Sequence, residues 1–309
     1  MTEVAYIFPG QGAQYVGMGK DLAAHHPQAR EVFEKANQVL TIDLMKLCFE
    51  GPAEELSLTP NCQPAILTAS IAALRVLEGI QPPLFMPKFS LGLSLGEYTA
   101  LVASKSITFE DALILVRKRG EFMDHASKKN PGKMACVIGM ELSAVEELAK
   151  GIGCEIANLN CPGQVVVSGK ATNIDLLASL AKSKGAKRVI ELEVSGPFHS
   201  SLMDPARDKL KEYIERVQIQ VPQVPFISNV DALAQTDPAK IKQNLIRQVN
   251  SKTLWESSIR AVMSSGIKRF LEIGPGKVLK GLVRKIDNSL DVVTLESDQD
   301  FQLLQLQPQ

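Results

Sequence analysis

Short apolar runs alternate along the chain with longer stretches in which apolar positions recur at helical spacing. Val4 to Phe8 is apolar, β-rich and stopped by Pro9-Gly10, which predicts a buried strand followed by a turn. Residues 29–40 and 65–79 carry the helical spacing. Pro82-Pro83 and Pro87 close that stretch before a second short run, Phe89-Ser-Leu91. Strand alternating with helix predicts an α/β fold with a mostly parallel sheet.

Between about 132 and 196 the rhythm changes. Strands at 134–138, 155–159, 164–168 and 188–194, with helices at 142–150 and 172–184, follow the order β-α-β-β-α-β of a ferredoxin-like unit. Lys128-Lys-Asn-Pro-Gly132 on one side and Ser195-Gly-Pro197 on the other carry turn chemistry. The expectation is a small insertion, 128–197, inside a larger unit formed by 1–127 and 198–309. The α/β pattern then resumes with helices at 203–217, 239–249 and 253–265, and strands at 225–228 and 269–273, the last stopped by Gly274-Pro-Gly276. No internal repeat occurs, and the Gln-rich stretch 298–309 is expected to fray.

Composition narrows the function more than the fold. With 45% hydrophobic and 22% charged residues, the 309-residue chain has an ordinary globular make-up. Lys plus Arg and Asp plus Glu balance at 34 each, which removes the footprint of a nucleic-acid-binding protein. No apolar run nears the ~20 residues of a membrane span, and the N-terminus has neither a signal-peptide nor a transit-peptide pattern. A cytoplasmic monomer is expected. Cys48, Cys62, Cys136, Cys154 and Cys161 are odd in number, scattered and without C-x-x-C spacing, as reduced buried thiols would be. Four histidines, two of them the adjacent His25 and His26 in a polar stretch, argue against a metal site, so no metal or other cofactor is expected.

The chemistry points to Phe89-Ser-Leu-Gly92-Leu93-Ser94-Leu95-Gly96-Glu97-Tyr98. A G-x-S-x-G after a strand and before a helix suits a nucleophile elbow, whose serine takes a strained backbone and leaves no room for side chains at the flanking glycines. The following helix would aim its amides at the serine and favour an oxyanion. The same spacing also suits a plain strand–turn–helix connection whose glycines serve packing. A serine needs a base, and the candidates are His125, near the end of a helix at the surface, and His199, on the Gly-Pro turn that leaves the insertion. Two glycine-rich stretches fail as nucleotide sites. Tyr15 stands where Gly10-Gln-Gly12 would need its third glycine, and Leu271 and Val278 replace the first glycine and the hydroxyl residue of a P-loop around Gly274-Pro-Gly276-Lys277. Thr108-Phe-Glu-Asp111 reads as a capping box opening a helix that ends at Arg117-Lys118-Arg119-Gly120.

Together, Phe8-Pro-Gly-Gln-Gly12, Gly92-Leu-Ser-Leu-Gly-Glu97, Gly196-Pro-Phe-His199 and Gly274-Pro-Gly276 resemble, in order and spacing, the malonyl-CoA:acyl carrier protein transacylases. The resemblance runs from Tyr6 to about Arg284. It implies an α/β-hydrolase-like large domain with a ferredoxin-like insertion, and transfer of malonyl from coenzyme A to a carrier protein for fatty-acid synthesis. By position it makes Ser94 the nucleophile, His199 the base oriented by the backbone carbonyl of Gln248, and the amides of Gln11 and Leu95 the oxyanion hole. Arg119 would hold the malonyl carboxylate, Phe198 would disfavour an α-methyl group, and Gln63 and Asn160 would line the pocket. The implied partner, an acidic carrier, calls for a basic patch, for which Arg117, Lys118, Lys128 and Lys129 are candidates. One departure stands out: Leu93 occupies the place where most members carry a histidine. Competing readings are a stand-alone acyltransferase of a polyketide pathway, an esterase or thioesterase on the same elbow, and a non-catalytic carrier-binding protein.

Overall fold

In the computed structural model, which describes residues 1–306, ten strands form two sheets. They are β1 (Thr2–Phe8), β2 (Phe85–Gly92), β3 (Gly132–Ile138), β4 (Glu155–Cys161), β5 (Gln164–Lys170), β6 (Arg188–Glu191), β7 (Phe226–Ile227), β8 (Ala234–Gln235), β9 (Arg269–Ile273) and β10 (Asp291–Leu295). The larger sheet has the order β10-β9-β1-β2-β7-β8, and every pairing is parallel except β7 with β8. Its central strands are apolar on both faces because both are covered. Val4 and Phe8 pack into one core cluster, while Ala5, Ile7 and Leu91 pack into another. The fold is α/β with the mostly parallel sheet expected of the large domain.

Strand β2 starts at Phe85, four residues ahead of the expected start, and runs through Pro87. The proline is tolerated because the β1–β2 register shifts beside it, between Val4 and Ala5.

The small sheet is antiparallel, in the order β4-β5-β3-β6, with helices Leu142–Ile152 and Ala171–Ser183 joining its strands in the ferredoxin-like sequence. Strand alternation divides its residues between two environments. Ala135, Val137, Val165 and Val167 pack with Val145, Leu148, Ile174 and Leu177 of those helices. Met134, Cys136 and Val166 point the other way and join the main core. A second link closes the gap to the large sheet: Thr253 N donates to Ala157 O at 2.8 Å, and Leu159 N donates to Thr253 O at 2.9 Å.

Several expectations need correction. The helix opened by Thr108, whose Oγ1 accepts from Asp111 N, does not end at Gly120 but runs from Phe109 to Lys129. Strand β6 stops at Glu191, releasing Leu192 and Val194. Beyond Gly276 the chain forms a helix, Val278–Ile286, which the sequence pattern does not separate from the turn. The stretch expected to fray is helical over Asp298–Leu306, because Phe301 and Leu304 are buried and Asp298 N donates to Asp21 Oδ2 at 2.8 Å. Residues 307–309 of that stretch lie outside the described residues.

Candidate active site

Strands β1 and β2 end side by side, and the groups with chemical potential lie just past their C-terminal ends, where parallel sheets commonly bind ligands. Ser94 turns the chain from β2 into the helix Gly96–Ala103 with φ of 52°, a left-handed value that a serine adopts only under constraint. The constraint is visible at the flanking glycines. A Cβ on Gly92 would lie 2.1 Å from the Gly96 carbonyl, and one on Gly96 would lie 2.2 Å from Phe8 O. The elbow expected from the sequence is therefore present, and its glycines are required by close backbone approach.

Ser94 Oγ lies 2.8 Å from His199 Nε2. His125 is exposed on the helix Phe109–Lys129 and takes no part. His199 is buried, has φ of 58°, and presents Nδ1 to two backbone carbonyls, Gln248 O at 3.0 Å and Ser251 O at 3.1 Å. Two acceptors at Nδ1 place the ring proton there and leave Nε2 as an acceptor for the serine hydroxyl. Burial, and next the Arg119 charge, lower the His199 pKa to about 4, so the ring is neutral at physiological pH.

Arg119 reaches the same hydroxyl from the helix Phe109–Lys129. Its Nη2 donates to Ser94 Oγ at 2.9 Å and to Gln248 Oε1 at 2.9 Å, while Nη1 donates to Gln63 Oε1 at 2.8 Å. Nε has no partner among the described residues. A buried guanidinium held by two neutral amides and facing no carboxylate directly is short of an anion. Gln63 and Gln248 stand behind Arg119 rather than on the cavity wall, where Phe198, Asn160 and Leu93 are found. The Oδ1 of Asn160 is buried without a partner among the described residues.

The cavity in front of Ser94 is about 250 Å³. One wall comes from Gly10, Gln11 and Leu93, the other from the inward face of the small sheet at Met134, Cys136 and Val166. A wider cleft of about 580 Å³ past Lys35 and Thr108 contains neither Ser94 nor His199. Gln11 N and Leu95 N find no acceptor among the described residues, which suits an oxyanion pocket. The Ser94 amide is different: it donates to Asn229 Oδ1 at 2.7 Å, and Asn229 Nδ2 donates to Gly92 O at 2.7 Å.

Asn229 and the buried Glu97 were not singled out from the sequence. Glu97 Oε1 accepts from Asn229 N at 2.5 Å, and its Oε2 accepts from Gln248 Nε2. Burial pushes the Glu97 carboxyl up to about 8, against the pull of these two bonds and of Arg119. No pattern in the sequence links Asn229 to Ser94, since their contact is made only by the pairing of β2 with β7. All five cysteines are buried and free. No group of three or more His, Cys, Asp or Glu residues suited to a metal occurs among the described residues. No described helix is long and apolar enough to cross a membrane.

Of the basic candidates for carrier docking, Arg117 and Lys118 share Glu121, and Lys128 pairs with Asp124. That helix answers most of its own charge.

An elbow serine, a neutral histidine and a guanidinium converging on one hydroxyl, on an α/β-hydrolase-like frame, define an enzyme of acyl-group chemistry. The chain belongs to the acyl transferase domain family, whose sequence profile matches residues 5–297. It is 47% identical over 308 residues to the malonyl CoA-acyl carrier protein transacylase of Bacillus subtilis (strain 168), covering 98% of this chain and 96% of that protein. Among solved structures, the acyl-carrier-protein-S-malonyltransferase of Bartonella henselae superimposes with a TM-score of 0.93 at 39% identity, covering 98% of each chain. A malonyl-transacylase solved in complex with its type II PKS acyl-carrier protein superimposes with a TM-score of 0.93 at 37% identity, covering 97% of each chain.

Proposed function

We propose that this enzyme transfers a malonyl group from malonyl-CoA to the phosphopantetheine thiol of acyl carrier protein, supplying extender units for fatty-acid synthesis, through a malonyl ester on Ser94. The observation that carries the reading is the Ser94 hydroxyl shared between His199 Nε2 and Arg119 Nη2. The substrate carboxylate takes the Arg119 fork, for which a planar guanidinium is suited. Nε2 of His199 removes the Ser94 proton as Oγ bonds to the thioester carbonyl carbon. The oxyanion is met by the Gln11 and Leu95 amides. The carbon–sulfur bond then breaks, and the coenzyme A thiolate leaves with the proton from His199. The carrier thiol repeats these steps in reverse and frees Ser94.

Phe198 narrows the cavity beside the acyl carbon and disfavours an α-methyl branch. The open Oδ1 of Asn160 accepts from an amide of the pantetheine arm. The chemistry draws on side chains and backbone alone, and every group comes from one chain, so a monomer suffices. A cytoplasmic setting fits five free buried thiols. Hydrolysis as the main reaction is disfavoured by Arg119, which would face an uncharged acyl chain with no anion to hold. A second reading, the same transfer to a polyketide carrier, draws on the neighbour solved with such a carrier.

Intact-protein mass after brief mixing with malonyl-CoA tests the reaction. A malonyl adduct absent from Ser94→Ala and passed on to added acyl carrier protein is expected. An adduct lost only to water would replace the transferase by a hydrolase, and assaying fatty-acid and polyketide carriers side by side separates the two acceptors.

A further inference from the structure

Arg119 and Glu97 are both fully buried behind Ser94, and they do not touch. The side chain of Gln248 stands between them. Its Oε1 accepts from Arg119 Nη2, and its Nε2 donates to Glu97 Oε2 and, at 2.7 Å, to Ser94 O. An amide can be turned either way in such a slot. Here Glu97 Oε2 and Ser94 O both accept from the NH2 group, while Glu97 Oε1 accepts from Asn229 N, so the far end of the slot draws the NH2 group to itself. That leaves the Gln248 carbonyl oxygen to face the guanidinium.

We propose that Glu97 is a positioning residue for the substrate's carboxylate: through Gln248 it fixes the orientation in which Arg119 receives a malonyl group. This rests on the malonyl-binding role of Arg119 given above.

Replacing Glu97 by glutamine keeps its shape and removes one acceptor. The buried Asn229 N–H keeps the remaining oxygen, because a buried backbone donor without an acceptor is costly. The new NH2 then opposes Gln248 Nε2, which Ser94 O still holds, so the two amide groups separate and the Gln248 side chain shifts against Arg119. The fork is pushed off its place, while the Asn229 clamp on the Ser94 amide stays intact.

The test compares kcat and KM for malonyl-CoA and acetyl-CoA in wild type, Glu97→Gln, Arg119→Ala and the double variant, each checked for folding by circular dichroism. Glu97→Gln is expected to lower malonyl kcat/KM by about tenfold, mainly through KM, and to change acetyl kcat/KM by no more than about twofold. In the Arg119→Ala background the same change should have no effect on either substrate, as expected for residues acting through one another. Equal losses for both acyl groups, no loss at all, or additive effects in the double variant would overturn the positioning role. An unchanged acyl preference in Arg119→Ala alone would overturn the Arg119 reading and the inference with it. If Glu97→Gln does not fold, Glu97→Asp takes its place, since the shorter side chain draws the acceptor back from Gln248 Nε2 while leaving Gln248 itself unchanged. It should reproduce the malonyl-selective loss, and an unselective loss there overturns the proposal equally.

Discussion

Ser94 Oγ has two neighbours with different roles, and single substitutions separate them. Arg119→Ala leaves the nucleophile and base in place but removes the only guanidinium among the described residues that line the cavity. Malonyl transfer is expected to fall on the order of a hundredfold or more, the cost of stranding a charged group without its partner, while acetyl transfer holds or improves. Steady-state kinetics with both thioesters checks this, and parallel losses would remove the carboxylate role. The pH profile reports on His199. The ring must be neutral to act as base, and its pKa is about 4 rather than 6.5, so the acid limb of kcat/KM should lie near pH 4. Burial is the larger cause and Arg119 the second. A bound carboxylate offsets the second, so the acid limb of kcat should lie at higher pH than that of kcat/KM. Coincident limbs near 6.5 would contradict the burial argument. At this scale the sequence went far. Ser94 is marked by its glycines, whereas the elbow pattern does not specify which distant turn brings the base, so His199 is preferred to His125 only through the family resemblance. Glu97 and Asn229 stayed hidden because their roles arise from contacts between segments more than a hundred residues apart.

The helices Thr59–Gly79 and Phe109–Lys129 cross where Arg119 meets Gln63. Gly120 sits at that crossing, and a Cβ there would lie 2.6 Å from Thr59 O and 2.8 Å from Pro60 Cα. Gly120→Ala must therefore push the helices apart. A loss of about 1–3 kcal/mol in unfolding free energy is expected, as for other overpacked contacts, with malonyl KM raised because the next residue is Arg119. Urea unfolding and the malonyl KM measure the two effects, and a variant as stable as wild type would show the crossing to be looser than its geometry. The sequence placed a helix end at this glycine, since glycine and basic residues usually mark one. Interior packing accounts for it instead, and only the three-dimensional neighbour reveals that. The helix Val278–Ile286 is masked in the sequence for a related reason. Gly274-Pro-Gly276 reads as a stop, while its helix is anchored from strand β9, where Glu272 Oε1 and Oε2 accept from Leu279 N and Lys280 N at 2.9 and 2.8 Å.

Across the whole molecule, the ferredoxin-like order of the small sheet was legible because period-two and helical patterns switch sharply between 132 and 191. What the pattern did not disclose is that the sheet has two working faces, one for its own helices and one for the cavity. An acyl carrier protein must approach a molecule whose formal charge is zero, so any electrostatic attraction is local and short-ranged. Raising salt should slow transfer to the carrier more than transfer to a small pantetheine acceptor, and identical salt curves would dismiss electrostatic docking. The histidine carries a different consequence. Its Nδ1 proton rests on the carbonyls of residues 248 and 251, which every amino acid possesses. In an enzyme whose third catalytic member is an aspartate, one codon change can delete it. Here no codon change at either position deletes the acceptor, so inheritable damage to the base's support has to come through the path of the chain itself. That part of the machinery is written in the backbone and does not depend on which side chain stands at either position.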